Sequence, residues 1–404
     1  MNFKFSYLAL SLFLISCEET AHNIQDENLS LSIDTVSFEI IQGTTYQVPP
    51  IMGGSKFLYL GQNDGYLFDY NYFRVSKFSN SQYYISSDNI ISQFHDYNDS
   101  TITIDSVRLS LNFVDDSISA NSLFYLRYFP NVSDSVFSRN NTNYLNLNTN
   151  YSDIIDYGKI EIDTTSSKLI FSIDPSYFSS FIDTSNLNFN NVFAVGIKNA
   201  EFDYYKFYSA NNGQSTVSKL SVYFKHTVND TLIIDTLNTH NIIDDLTILT
   251  PPDLVDLDTT SLSVSLAKGL KSLITVDTKL WNIPDGSVFR KAELIFNTIN
   301  QDSSDSDIIN SYLLTDLQFP NVFTRFDEED FTYDITNRSS AVINNNALKF
   351  NHRSALEKAL LNNKSLHTFN IQPNVDLDPF KTIRFHNVES SQFYPKLRIT
   401  YVLP

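Results

Sequence analysis

The chain of 404 residues contains almost no cysteine and little glycine. Its single cysteine, Cys17, excludes an internal disulfide framework. Glycine supplies 10 residues, well below the usual share of about 7%. The segment Gly61–Gly65 lacks the lysine of a phosphate-binding loop and is typical of a hairpin turn. Disulfide scaffolds and P-loop nucleotide-binding enzymes are therefore excluded.

Positive charge and the motifs of common hydrolases are also scarce. The 28 Lys and Arg residues face 46 Asp and Glu residues, which gives a formal net charge of −18. Such a surface repels nucleic acid and anionic headgroups. The seven histidines form no His-Glu-x-x-His motif, and no Gly-x-Ser-x-Gly segment occurs. Paired carboxylates for glycoside hydrolysis depend on distances in space and stay open as an alternative. We expect a protein that is not an enzyme and binds no nucleic acid.

The first seventeen residues predict where the protein is attached. An apolar run from Phe5 to Ile15 is too short to span a bilayer, and Ser16 supplies the small residue that a signal peptidase needs. The closing Leu-Ile-Ser-Cys resembles the lipobox of bacterial lipoproteins, which implies that Cys17 is diacylated and becomes the new N-terminus. The alternative is an ordinary signal peptide with an incidental cysteine. We predict a signal peptide over residues 1–16, then the lipidated Cys17 and a polar tether over residues 17–31. The anchor would lie in the outer membrane, with the protein on the cell surface or, alternatively, on the periplasmic face.

After the tether, short β-type segments alternate with Asn, Asp and Ser clusters. From Val107 to Leu111, apolar and polar residues alternate as in a half-buried strand. Two helices interrupt this pattern. One begins at Asp174-Pro175, and the other runs from the capping box Ser354–Glu357 to Leu361. We predict an all-β fold of antiparallel β-sandwich, jelly-roll-like domains, each with one short helix.

The order of these segments occurs twice along the chain. Lys168–Phe171 before the first helix matches Ala347–Phe350 before the second, and Lys219–Phe224 matches Lys396–Tyr401 at the end of each copy. We therefore predict two tandem domains that arose by duplication, over residues 32–225 and 226–404. Residues 226–260 either link the domains or supply the first strands of the second.

Some of the matched segments resemble a known domain family. Ile104–Leu111 and Lys219–Phe224 in the first copy correspond to Arg290–Phe296 and Pro395–Tyr401 in the second. These segments are similar to the DNRLRE-type, carbohydrate-binding-module-like domains of bacterial surface proteins, although the eponymous string does not occur. The resemblance implies a β-sandwich fold and binding of carbohydrate.

A row of aromatic residues is the candidate binding surface. If the segment Tyr66–Phe73 is a strand, four of its rings share one face, and two further tyrosines belong to a second cluster with Tyr208. Aromatic faces stack on the C–H groups of sugars, while neighbouring amides and carboxylates bind hydroxyls. The alternative is that the rings belong to the core or to cross-strand ladders. The six candidate carbohydrate-binding residues are Tyr66, Phe68, Tyr70, Tyr72, Tyr204 and Tyr205.

The acidic clusters predict no specific metal site. Asp302–Asp307 lacks the turn glycine and the distal glutamate of an EF-hand loop and is typical of a solvated loop. We expect no cofactor. A structural calcium ion in a sandwich loop stays open, with no ligands assigned.

Together these features predict a non-catalytic cell-envelope lipoprotein that binds extracellular or cell-wall carbohydrate or mediates adhesion. Its partners would be the membrane, through the N-terminal lipid, and a glycan or an envelope protein. The alternative is a structural or assembly lipoprotein whose domains pack on an outer-membrane partner.

Overall fold

The structure is a computed structural model of the whole chain, described here in part. The predictions for residues 1–31, including Cys17, lie outside the described residues. The predicted first helix lies outside them too, apart from its first residues Asp174 and Pro175. The described residues are 32–63, 66–83, 89–93, 97, 99–114, 123–129, 138–147, 160–163, 167–175, 191–197, 204–213, 218–228, 231–250, 260–299, 307–314, 334–389 and 393–403.

Most of the described chain is β-strand, and the strands pair antiparallel, which confirms the predicted β-rich fold with antiparallel sheets. The strands up to residue 250 are β1 (Ser32–Gln47), β2 (Met52–Gly53), β3 (Phe57–Asn63), β4 (Tyr66–Tyr83), β5 (Asn89–Gln93), β6 (Ile102–Asn112), β7 (Phe124–Phe129), β8 (Ile160–Asp163), β9 (Lys168–Ile173), β10 (Asn191–Ile197), β11 (Tyr204–Tyr208), β12 (Lys219–Val228) and β13 (Leu232–Thr250).

The later part of the chain follows the same style, with one α-helix among its described residues. Short 3-10 helices cover Ala210–Asn212 and Ile335–Asn337. The remaining elements are β14 (Ser261–Ser265), β15 (Leu270–Asp277), β16 (Val288–Asn297), β17 (Ile308–Leu314), β18 (Arg338–Val342), β19 (Ala347–Asn351), α1 (Arg353–Leu361), β20 (Leu366–Pro373), β21 (Thr382–His386) and β22 (Lys396–Leu403).

Alternation of apolar and polar residues explains why many of these segments are strands. In β6, Val107, Leu109 and Leu111 are buried, whereas Arg108 is exposed, as the sequence predicts. In β22, Leu397 and Ile399 are buried between half-buried polar neighbours. Each such strand covers a hydrophobic core with one face.

Helix α1 confirms the predicted second helix, but its start differs from the predicted capping box. The N-cap residue is His352, and its side chain makes no capping hydrogen bond. The His352 ring instead lies 2.8 Å (Nε2 to Oγ) from Ser311 in the core. The helix buries Leu356 and is held by this packing, since it has no side-chain cap.

The described strands form two sheets. One has the order β11-β3-β4-β13-β12-β6-β9-β8, with β10 and β5 also paired to β4, β7 to β10 and β2 to β13. The other has the order β18-β17-β20-β15-β1-β22-β16-β19, with β14 joining β15 to β21. Equivalent pairings recur in the two sheets: β6 lies between β12 and β9, as β16 lies between β22 and β19. This is the pattern that the predicted duplication leads one to expect.

Each of two long strands pairs with strands of the other predicted domain. β1 pairs with β22 along Ser32–Glu39 and with β15 along Ile40–Gln47, so the first strand of the chain lies in the sheet of the last strands. β13 pairs with β12 and β4, so it lies in the sheet of the earlier strands. Sheet membership therefore departs from the predicted division at residue 226. Residues 232–250 are neither a linker nor first strands of the later sheet.

Each sheet encloses its own large hydrophobic cluster. The first, called here the N-terminal core, includes Leu109, Phe171 and Phe207 and draws its members from residues 58–242. The second, the C-terminal core, includes Phe296, Phe350 and Phe369. Ile40 of β1 is buried in the C-terminal core, in agreement with the pairing of that strand. No described helix is long and apolar enough to cross a membrane.

Candidate functional site

The predicted row on β4 does not form one exposed surface. Phe68 and Tyr72 are buried in different small clusters, beside Leu249 and beside Val192 respectively. The pairing of β4 with β13 slips between Phe68 and Tyr70, which interrupts the strict alternation that the prediction assumed. Phe68 and Tyr72 are therefore core residues. The side chains of Tyr66 and Tyr70 lie outside the described residues.

The predicted second cluster divides between two faces of β11. Tyr205 is buried in the N-terminal core, whereas its neighbour Tyr204 points the other way and is 39% exposed. Successive side chains of a strand alternate in direction, so the two cannot act on one ligand side by side. Tyr208 lies on the same face as Tyr204 and is half-buried.

The face of β11 that carries Tyr204 continues onto β3. In this antiparallel pair Lys206 lies opposite Tyr59 and Tyr208 lies opposite Phe57. Leu58 and Leu60 point into the N-terminal core, so Phe57 and Tyr59 lie on the opposite side of β3. We call this surface the aromatic face; its residues are Phe57, Tyr59, Tyr204, Lys206 and Tyr208, of which Tyr59 is buried in the same small cluster as Phe68.

A cation lies among these rings. Lys206 Nζ is 3.8 Å from the centroid of the Phe57 ring and 5.9 Å from that of Tyr59. The Phe57 and Tyr208 rings are 5.9 Å apart, and the Tyr59 and Tyr204 rings 6.4 Å apart. These distances are typical of cation–π and aromatic contacts that hold side chains in place. The aromatic face is therefore preorganised.

The segment between β20 and β21 borders the aromatic face. The ring of Phe380 lies 5.1 Å from that of Tyr204 and 6.5 Å from that of Tyr59, in edge-on arrangements. Lys56 Nζ lies 3.3 Å from a carboxylate oxygen of Asp376. The exposed carboxylates of Asp376 and Asp378 thus lie beside partly exposed rings.

Electrostatics keep Tyr59 neutral. Burial raises the pKa of its phenol well above the ordinary value, and the nearby Asp378 carboxylate and the Tyr204 phenol raise it further. A phenol that stays protonated donates and accepts hydrogen bonds but does not act as a general base. The Tyr59 phenol therefore supplies no general base to the aromatic face.

Sequence reasoning missed three residues of this surface: Phe57, Tyr59 and Lys206. Part of the signal was present, because Phe57–Leu60 alternates aromatic and aliphatic residues, whereas Tyr204–Tyr208 is aromatic at every position but Lys206. Pairing of β3 with β11 across more than 140 positions could not be read from the chain. Phe380 reaches the surface from the other sheet and carried no signal.

Two buried polar pairs resemble catalytic groups but lack access. Ser311 and His352 are hydrogen-bonded, yet both are buried in the C-terminal part, and burial lowers the His352 pKa to about 4. Asp244 and Asp245 are consecutive on β13 and so point to opposite faces. Asp245 accepts a hydrogen bond from the Ala210 N–H at 2.7 Å. These contacts stabilise the fold.

A cleft of about 390 Å³ lies where the residues after β1 meet the turn between β14 and β15. Its walls include Pro49, Pro50 and Leu266. Arg139 also lines it, but its guanidinium is bound to Asn211 at 2.7 Å and lies 3.6 Å from Asp244. Within the described ranges, no group of three or more His, Cys, Asp or Glu residues is placed to hold a metal ion.

No protein-family model matches the sequence. No curated protein is significantly similar to it.

Proposed function

We propose that this protein is a non-catalytic, lipid-anchored protein of the bacterial cell envelope that binds extracellular or cell-wall carbohydrate through its aromatic face and so mediates adhesion. The observation that carries the proposal is the grouping of Tyr204, Tyr208 and Lys206 on one partly exposed face, held by ring contacts. Sugar rings present C–H groups to aromatic faces and hydroxyls to polar neighbours, and this surface offers partners for both.

The carboxylates at the border of this face add to its suitability for sugars. Asp376 and Asp378 are exposed beside the rings and accept hydrogen bonds from hydroxyl donors. The net charge of −18 of the whole chain favours a neutral glycan over an acidic one. The proposed ligand is therefore a neutral glycan.

Two tandem β-sandwich domains belong to the same proposal. Two separate cores and the recurrent pairing of β6 and β16 with their neighbours support it. In this arrangement each domain takes its central long strand from the other half of the chain. The strands give the aromatic face a rigid backbone, which lowers the entropic cost of binding.

The binding test uses affinity gels that contain neutral or acidic polysaccharides. Residues 18–404, which retain every described residue and omit Cys17, should be retarded by a neutral glycan. Tyr204→Ala/Tyr208→Ala should abolish the retardation, and a cooperative urea unfolding transition should show that the double variant is folded. Phe393→Ala removes a ring of similar size, 49% exposed, from another part of the surface and should have no effect.

The outcomes separate the proposal from its alternative. Loss of retardation in the double variant alone places the glycan on the aromatic face. Retardation that survives in the double variant would contradict the aromatic face as the site. Absence of retardation on every glycan, together with co-purification of one stoichiometric envelope protein, would favour a structural or assembly lipoprotein.

The anchor is tested separately at Cys17. Cys17→Ala should abolish acyl labelling and membrane retention, because the thiol is the proposed site of diacylation. Retention of the variant in the membrane fraction would contradict lipidation. Digestion of the protein by proteinase added to intact cells is expected for a surface location, and full protection would indicate the periplasmic face.

A further inference from the structure

β1 covers the edges of two strands of its sheet, one along each half of its length. Its neighbours are β22 on one side of the first half and β15 on one side of the second half. It contributes Ile40 to the C-terminal core, and Val36 and Phe38 pack against that core. Without β1, both neighbours would expose unpaired backbone groups and the core would lose apolar cover. We call the position that β1 occupies beside β22 and β15 the β1 slot.

The N-terminal part has an equivalent slot, which β13 fills. In the β1 slot, the Ser263 N–H donates to Thr45 Oγ1 at 2.9 Å, and Thr45 Oγ1 lies 3.2 Å from Ser272 Oγ. In the other slot, the Tyr59 N–H donates to Thr247 Oγ1 at 2.9 Å. Thr247 Oγ1 in turn donates to Asn71 Oδ1 at 2.7 Å. One threonine of each long strand thus ties two neighbouring strands together. These are β14 and β15 in the β1 slot, and the equivalent β3 and β4 in the other slot.

The two slots are filled crosswise. β13 follows β12 and precedes β14, so it stands at the start of the second repeat as β1 stands at the start of the first. Each of these strands nevertheless completes the sheet of the other repeat. The slot therefore accepts a first strand that arrives from a different copy of the repeat.

We propose that β1 also exchanges between molecules, so that β1 of a second copy of this chain fills the β1 slot and two copies form a reciprocal dimer. The incoming strand has the same sequence and can make the same contacts with β22 and β15. A two-fold exchange leaves no slot open, because each molecule gives and receives one strand. The balance between the two forms then depends on protein concentration and on the connection to β2.

The connection that follows β1 contains two prolines, whereas the connection that precedes β13 is a short link to its own partner strand. Val48–Ile51 contains Pro49 and Pro50, and consecutive prolines hold a connection extended. An extended hinge favours delivery of a strand to a neighbouring molecule. β13, by contrast, is joined to its partner β12 by residues 229–231 and stays in its own molecule. β13 is therefore the internal control.

Cysteine pairs test the exchange directly. Thr35 of β1 lies opposite Thr400 of β22, with the two Oγ1 atoms 3.5 Å apart. Residues 18–404 contain no other thiol, so single variants Thr35→Cys and Thr400→Cys carry one thiol each. An equimolar mixture is unfolded in urea, refolded together at several protein concentrations and oxidised. We expect a disulfide between position 35 of one molecule and position 400 of another, identified by mass spectrometry of the linked peptides, in a yield that rises with concentration.

The matched control pair spans the hairpin that stays local. Thr227 of β12 lies opposite Ile233 of β13, and single variants Thr227→Cys and Ile233→Cys are mixed and refolded in the same way. The 35–400 heterodimer should exceed the 227–233 heterodimer several-fold. The double variant Thr35→Cys/Thr400→Cys must form a disulfide in either case, which verifies that both substitutions fold. If that disulfide stays within one molecule at every concentration and the mixed yield equals the control, β1 serves its own chain and the exchange between molecules is refuted.

Discussion

Asp245→Asn is the most informative single change, because Asp245 is a carboxylate buried on β13 with one strong partner. Its Oδ2 accepts the Ala210 N–H at 2.7 Å, while Oδ1 has no hydrogen bond among the described residues. Burial raises the Asp245 pKa to about 7. The Ala210 N–H opposes this rise, the Asp244 carboxylate adds to it, and Arg139 opposes it.

The sign of the pH effect follows from that shift. The folded state holds a proton on Asp245 that the unfolded chain releases above its pKa of 3.8. The folded protein is therefore most stable below pH 3.8 with respect to this group, and it loses stability as the pH rises toward 7. Three pKa units at 1.36 kcal/mol each correspond to about 4 kcal/mol once the group is ionised. Between pH 5 and pH 8 the expected loss is roughly 2–3 kcal/mol.

An asparagine at this position is neutral at every pH. Its Oδ1 can still accept the Ala210 N–H, whereas its Nδ2 gains no acceptor among the described residues, at a cost of about 1–3 kcal/mol. Asp245→Asn should therefore destabilise the protein at pH 5 and be neutral or stabilising at pH 8. The difference between the two pH values does not contain the packing cost, because that cost is the same at both.

Urea unfolding at pH 5 and pH 8 measures this difference. The change in the free energy of unfolding caused by Asp245→Asn should become more favourable by roughly 2–3 kcal/mol from pH 5 to pH 8. All other titratable groups are the same in the parent protein and in Asp245→Asn, so their contributions to the free energy of unfolding cancel in the comparison. Asp235→Asn removes an exposed carboxylate of the same strand and controls for the change in net charge. If the change in the free energy of unfolding between pH 5 and pH 8 is no larger for Asp245→Asn than for Asp235→Asn, the buried carboxylate does not cause the pH effect.

Two further predictions concern stability. Burial lowers the His352 pKa to about 4, so the stability from this group is complete above pH 6.5 and is lost as the pH falls toward 4, by about 3 kcal/mol. His352→Gln should flatten the fall in urea stability between pH 7 and pH 4.5, and an unchanged slope would contradict it. Gly269 has φ +63°, and a Cβ there would lie 1.8 Å from the Val48 carbonyl oxygen. Gly269→Ala should thus lower the unfolding midpoint well below that of Gly213→Ala, which shares a positive φ of +67° but meets nothing within 4 Å; equal midpoints would contradict it.

Alternation of apolar and polar residues allowed many of the strands to be predicted from the sequence. Alternation placed β6 and β22, and the helix over Arg353–Leu361 was recognisable from the segment Ser354–Glu357, although the capping contact itself does not form. The crosswise use of β1 and β13 was not readable. The local pattern of neither strand specifies which sheet it joins, so the choice depends on contacts distant in sequence.

The candidate site illustrates the same limit. A row of aromatic residues in one strand predicts that the rings share a face only while the pairing stays regular. The slip between Phe68 and Tyr70 breaks that condition. Tyr204 was predicted and is exposed, but its partners Tyr59 and Lys206 come from pairing in space. A chain rich in Phe and Tyr offers many equally good rows, and burial decides among them.

Gly43 and Asp245 stand at equivalent places in the two slots, and this equivalence can be tested. Asp245 lies opposite Phe73, two residues before Thr247, as Gly43 lies opposite Ile274, two residues before Thr45. The space of the missing side chain at Gly43 is taken by Asn387, whose Oδ1 would lie 2.6 Å from an added Cβ.

The partners of these two residues differ in a complementary way. Asn387 Oδ1 accepts the Val388 N–H at 2.8 Å. In the other repeat Ser209 stands in place of Asn387, and the Asp245 carboxylate accepts the next N–H, that of Ala210. One backbone N–H beside each slot thus has one side-chain acceptor. The long strand supplies it through Asp245 in one slot, and the neighbouring segment supplies it through Asn387 in the other.

A double-mutant cycle follows from this exchange of acceptors. Gly43→Asp alone should be strongly destabilising, because the new side chain meets Asn387. Adding Asn387→Ser frees the space and lets the new carboxylate accept the Val388 N–H, so the pair should be coupled by about 1–3 kcal/mol in urea unfolding. Gly43→Ala/Asn387→Ser separates relief of the clash from the new hydrogen bond, since a methyl group has no acceptor. If the effects of Gly43→Asp and Asn387→Ser simply add, the two slots only look alike and each repeat reached its acceptor independently.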